Sequence, residues 1–265
     1  MDTYEDKLER EREWNRHQAF RQDHFLNSRI FYSPERHAFN YILPRERMRR
    51  LVQNLVAGSG LDNPSLLIAP VGTGSDIKYL QPISDNMSGI DISEEAVSKV
   101  DSICRTYVGD MRVMTMFPDG LFDFVVTPLF FHHFIRFGFD DFLGEIYRVL
   151  KSGGHFVALE PNLLCPICSM AAVAKRIVGN ITGAVDDEAP LVPFRLTGAM
   201  RRCGFQHVRL YGASFSHNRI PIPVAKLLNS VSYPLLNLPV IKYLAWMCLF
   251  YGQKPPADRK GAVRQ

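Results

Sequence analysis

Gly72-Thr73-Gly74, Asp91, Asp110, the pair His132-His133 and Glu160 are the residues whose types and intervals suit this chain to chemistry. A glycine pair at the head of a helix lets a ligand approach backbone N–H groups that the helix leaves unpaired. Seventeen residues after Gly74, an apolar run ends in Gly89-Ile90-Asp91, near the spacing at which a doubly wound sheet sets a carboxylate against nucleotide ribose hydroxyls. Val108-Gly109-Asp110-Met111 ends the next run in a second acid. Histidine titrates near neutrality, so His132 and His133 are candidates to take a proton from a nucleophile, and Glu160, in Glu160-Pro161-Asn162, is a polar group placed to meet an acceptor. Read singly, each acid serves equally well as a helix N-cap or a solvated turn, and each histidine as a packing ring.

The elements that must position these groups are short apolar runs separated by helical patterns. The runs are 66–69, 87–90, 105–108, 122–126 and 155–159, with further strands at 206–211 and 246–251. Strand and helix in alternation predict βαβ units, and so an α/β fold with a Rossmann-like, seven-stranded, mostly parallel sheet and helices on both faces. Tyr4, Leu8, Trp14, Phe20 and Phe25 give a charged first segment a thin apolar stripe. Ser33-Pro34 starts a second helix over 35–56, interrupted at Pro44 and closed by Gly58. Residues 1–60 thus read as a helical lid, and the Tyr32 to His37 turn as a cap over the pocket. Residues 61–254 form the main domain, with helical insertions at 163–184 and 220–244, and 255–265 a flexible basic tail. On an extended segment His132 and His133 face opposite sides.

At 265 residues, 46% hydrophobic and 22% charged, the chain can bury a core, which excludes disorder, collagen and coiled coil. Five cysteines and a charged N-terminus give no disulfide framework and no secretory signal, which reads as a reducing cytoplasm. Cys165-Pro166-Ile167-Cys168 has no second pair at zinc spacing, so no metal is expected. Residues 1–188 carry 20 Lys/Arg and 26 Asp/Glu, whereas 189–265 carry 11 Lys/Arg against Asp258 alone. A basic segment suits an anionic partner or simply complements the acidic remainder. Nucleic acid is not expected, because no recognition motif accompanies the charge. The stretch 220–244 is apolar but broken by four prolines and two lysines; it does not span a bilayer, yet it is suited to peripheral membrane contact. Asp186-Asp187-Glu188 forms an acidic loop that can approach an acceptor or a cation. Nothing in the pattern sets an oligomeric state.

From Leu66 to Phe205 the chain resembles the class I S-adenosylmethionine-dependent methyltransferases of the small-molecule group. The resemblance rests on the glycine turn, Gly89-Ile90-Asp91, Val108-Gly109-Asp110, Phe122-Asp123-Phe124-Val125-Val126, the His-His pair and Tyr147-Arg148-Val149-Leu150-Lys151-Ser152-Gly153-Gly154, in that order. It implies S-adenosyl-L-methionine as cofactor and methyl transfer to a small-molecule or lipid-like acceptor. It also implies that Gly72 and Gly74 admit the cofactor, Asp91 holds its ribose and Asp110 its adenine edge, with Ala69, Thr73, Ile92, Gly109 and Met111 beside them. His132 matches the family position that is more often structural, which favours His133 as the base. The first motif departs from the family, whose acid two residues before the first of three alternating glycines is replaced: those positions carry Ile68 and Pro70. Two alternatives remain open on the residues: a degenerate, non-catalytic binding module, and an NAD-binding oxidoreductase, which would want a third glycine where Ile77 stands.

Overall fold

Two helices precede the sheet. The computed structural model describes residues 3–17, 33–178, 188–236 and 238–257; Phe20, Phe25, Tyr32, Asp186 and Asp187 lie outside them. Helix α1 (Tyr4–His17) turns Leu8 into the core. Helix α2 (Pro34–Ser59) starts as its sequence dictates, with the Ser33 hydroxyl accepting from the Arg36 N–H. It then runs straight through Pro44 and ends at Gly60 in the left-handed region (φ 67°), correcting the expected break at Pro44 and stop at Gly58. Packing decides this: Met48 and Val52 are wholly buried and the Arg45 guanidinium grips Asp76 through two nitrogens (2.7 and 3.3 Å), holding the helix across its one missing hydrogen bond.

The sheet comprises β1 (Leu66–Ile68), β2 (Met87–Asp91), β3 (Arg105–Val108), β4 (Phe122–Pro128), β5 (Leu150–Pro161), β6 (Gln206–Ser214) and β7 (Met247–Gln253), in the order β3-β2-β1-β4-β5-β7-β6. The first five are parallel; β7 runs antiparallel to both β5 and β6. Side chains alternate across it. Leu67, Val125 and Phe156 pack on one face with α5 (Asp140–Val149) and α7 (Pro193–Arg202), while Leu66, Ile68, Phe124, Val126 and Val157 pack on the other against Met48 and Val52 of α2. The short helices α3 (Ile77–Leu80) and α4 (Glu94–Val100) follow β1 and β2.

Two excursions leave the carboxyl edge of this sheet and return to it. One carries α6 (Pro166–Val178), departs after Pro161 and comes back where Asn162 bridges Leu191. The other carries α8 (Ile222–Leu235) and a 3₁₀ turn at Ile241–Leu244, departs after Ser214 and rejoins at its partner Met247. Past β7, Pro255 is not loose as its place in the basic tail suggested: its carbonyl accepts from Ser152 Oγ and Gly153 N–H.

Candidate active site

The ends of β1, β2, β3 and β4 open onto a cleft of about 670 Å³ empty volume. Its floor is the glycine turn. Gly72 (φ 52°) and Gly74 (φ 75°) both adopt the left-handed conformation that glycine permits, but they serve differently. Gly72 lines the cleft with open space above its α-carbon, whereas a side chain on Gly74 would strike Val100 at 2.5 Å. Gly74 therefore lets the turn pack on α4. Ala69 is buried beneath the turn, and Thr73 faces solvent with its hydroxyl on Ser75.

Asp91 is fixed by backbone. Its Oδ2 accepts from Gly72 N–H (2.9 Å) and its Oδ1 from Ser93 N–H (3.0 Å). Burial pushes its carboxyl upward and these N–H groups oppose the rise. Each oxygen retains a lone pair for a hydroxyl in the cleft. Ile92, Gly109, Asp110 and Met111 complete this wall. Asp110 takes the Arg112 N–H and the Tyr4 hydroxyl, both at 2.8 Å and both through Oδ1. Tyr4, Leu8 and Glu11 form one face of α1 and enter the cleft from above, with Phe130 and Phe134 on the β4 side. Sequence reasoning missed Glu11; its spacing from Tyr4 and Leu8 was the available signal. It supplies an acid to the cleft beside Pro70 and Gly72, where the first motif has none of its own.

The histidines depart from the expected geometry. They lie in a 3₁₀ turn (Phe131–His133) rather than on an extended segment, with ring centroids 4.2 Å apart. The cause is Glu160. This wholly buried carboxylate accepts the Phe130 and Phe131 N–H groups at 2.7 Å and the His132 Nδ1 at 2.8 Å, reeling the chain into a turn. A carboxylate can only accept, so Nδ1 of His132 is the donor of this pair, and in the neutral ring Nε2 is the acceptor. Glu160 has thus satisfied its own oxygens inside the protein; neither it nor His132 lines the cleft, and the His132 ring stands behind that of His133, 4.2 Å away.

His133 does line it, through a different kind of support. Its Nδ1 lies 2.9 Å from Glu188 and 3.1 Å from Glu11, and Glu11 in turn lies 2.5 Å from the buried ammonium of Lys7. Burial alone would lower the imidazole pKa, but the two carboxylates outweigh it and hold the ring protonated well above its ordinary value. Burial likewise opposes ionisation of Glu11, yet His133 and Lys7 bring its carboxyl down to about 2. Ligand atoms of His132, His133 and Glu188 lie within 4.8 Å of one another, close enough for a cation. The charges nonetheless close without one, Lys7 and His133 against Glu11 and Glu188. Arg148, from the string before β5, meets Glu145 and Asp119 and the carbonyls of Met114 and Phe117, pinning the loop between β3 and β4.

A glycine turn after β1 and carboxylates ending β2 and β3, in a sheet of this order, define an α/β protein built to hold a nucleoside cofactor at its carboxyl edge. Residues 69–158 match the family model of the methyltransferase domain. Similar folds occur in a Thermotoga maritima SAM-dependent methyltransferase described as a possible histamine N-methyltransferase (18% identity, TM-score 0.60, 91% of this chain and 97% of that one) and in an Archaeoglobus fulgidus SAM-dependent methyltransferase (16%, 0.52, 78% and 94%). A third is phosphoethanolamine N-methyltransferase 2 of Haemonchus contortus, complexed with phosphomonomethylethanolamine and S-adenosylhomocysteine (17%, 0.51, 77% and 52%). No curated protein sequence matches the chain. The chain thus carries a methyltransferase-domain match over residues 69–158 and shares its fold with S-adenosylmethionine-dependent methyltransferases.

Proposed function

We propose that the chain methylates a small-molecule or lipid-like acceptor whose nucleophile loses its proton to His132, with Asp91 and Asp110 holding the cofactor. S-adenosylmethionine, when bound, supplies an electrophilic sulfonium methyl. The remaining work is alignment of the acceptor and removal of its proton. One observation carries the reading: the buried Glu160 carboxylate engages Nδ1 of His132 at 2.8 Å, which makes Nε2 the acceptor of the neutral ring, its centroid 4.2 Å from that of the cleft-lining His133. His133, favoured by sequence as the base, already carries its proton between Glu11 and Glu188 and takes none until it gives one up. Glu160, considered for acceptor binding, becomes a positioning residue.

The test is turnover on a panel of amines, phenols and lipid alcohols, read as S-adenosylhomocysteine formed. On the responding acceptor, His132→Ala is expected to lose about 10²–10⁴-fold in kcat while binding S-adenosylhomocysteine normally. Glu160→Gln is expected to shift the pH profile of kcat. A His132→Ala enzyme turning over at the wild-type rate sinks the assignment, and a chain unable to bind S-adenosylhomocysteine sinks the reading whole.

A further inference from the structure

Helix α8 buries only Ala225 and Ser232 within its length, and α6 little more than Cys168. Their outer faces are apolar. On α6, Ile167, Met170, Val173 and Ile177 recur at helical spacing with 41 to 77% of each side chain exposed. On α8, Val224, Leu227, Val231 and Leu235 recur likewise, and with Leu238 and Val240 just beyond it they are 36 to 76% exposed. An isolated exposed leucine needs no explanation, but two helices that each turn an apolar stripe to water do. Topology roots both at the same edge of the sheet, since both excursions leave and rejoin it at its carboxyl edge, where Pro161 and Ser214 share the partner Met247.

Charge then selects what covers them. No Asp or Glu occurs from 161 to 185 or from 189 to 257, so both helices lie in acid-free sequence, with Arg176 and Lys226 exposed on them. Next to the α8 excursion, a groove of about 970 Å³ runs along β6, the last strand of the sheet. Arg201, Arg209 and Lys242 line it beside Phe194 and Tyr243, and the described residues around it include no acid. Apolar stripes rimmed by cations fit a surface that is itself greasy and anionic. No helix among the described residues is long and apolar enough to cross a membrane, so the contact is with its surface.

We infer that α6 and α8 together form a docking face for an anionic phospholipid bilayer, with the Arg201–Arg209–Lys242 groove receiving lipid phosphates. The inference stands independently of the base assigned above. It brings the carboxyl edge of the sheet, and with it the cofactor cleft, toward the lipid.

Flotation of the full chain with phosphatidylcholine vesicles, with and without phosphatidylglycerol, tests it. The wild type is expected to float with the anionic vesicles and to be released by added salt. Leu227→Glu with Val231→Glu, and separately Met170→Glu with Ile177→Glu, are each expected to weaken partition about tenfold or more. Arg201→Gln with Arg209→Gln should weaken it about fivefold per charge and blunt the salt response. All these positions are exposed, and an unchanged thermal shift with S-adenosylhomocysteine confirms that each variant folds. Equal flotation with both vesicle types, or of wild type and all variants, overturns the proposal. So does a dimer that the apolar variants split while no form binds vesicles, because the face would then belong to a second copy of the chain.

Discussion

The floor of the cleft and its roof hold charge by opposite means. On the floor, the carboxylate of Asp91 is gripped by N–H groups of Gly72 and Ser93, which belong to the turns themselves. In the roof, His133 is gripped by Glu11 from α1 and Glu188 from the return of the α6 excursion, side chains from elements far apart in sequence. Backbone donors do not titrate and do not depend on which residue supplies them. Side-chain partners do both. The donors of the floor are accordingly indifferent to pH, leaving Asp91 itself as the titrating group there, while the roof closes only where its acids are ionised and its imidazole is charged.

The largest expected departure follows from breaking the roof. Glu11→Gln leaves the buried Lys7 and His133 without their shared carboxylate and is expected to cost about 3 kcal/mol of stability near pH 6, read by urea denaturation. The folded pKa of Glu11 is depressed, so its contribution is present above its ordinary 4.5 and disappears as pH falls toward about 2. That of His133 is raised, so its contribution is full below its ordinary 6.5 and is lost as pH climbs through the higher folded value. The gap between wild type and Glu11→Gln should therefore be widest between about pH 4.5 and 6.5. A gap that does not vary from pH 4 to 9 contradicts the ion network.

The floor gives a smaller effect of another kind. Asp91→Ala is expected to weaken S-adenosylhomocysteine binding by about 1–3 kcal/mol in calorimetry at pH 8. NAD binding in its place would break the assignment. Smallest is Tyr4→Phe, which removes one donor from Asp110 where roof meets floor. Burial and Asp110 hold that hydroxyl protonated well above its ordinary range, so a loss of about 1 kcal/mol without pH dependence up to pH 9 is expected in thermal unfolding.

The same division explains what could be read in the sequence. Asp91 and the glycine turn were legible because strand, turn and helix are local, and the Leu66 and Met87 runs announce their own ends. The continuous path of α2 through Pro44 was not, since it depends on Arg45 finding Asp76 thirty-one residues away. Nor was the turn at His132-His133, which Glu160 imposes from a neighbouring strand. Glu11 and Glu188 were illegible as partners for a stronger reason: 177 residues separate them, and only the folded chain brings both to one nitrogen.

The return of each excursion to the strand end it left has a bearing on how such a protein diversifies. With Asn162 bridged to Leu191 and Ser214 paired with Met247, the sheet anchors both ends of each excursion, while most of α6 and α8 stays outside the core. The entropy of closing a loop grows slowly with its length, by roughly 0.6 kcal/mol for each doubling. Whole helices can thus be lengthened, shortened or exchanged between these anchors at little thermodynamic cost to the strands that carry Asp91, Asp110 and the His132 turn. The excursions are free to drift over generations while the sheet beneath them stays put.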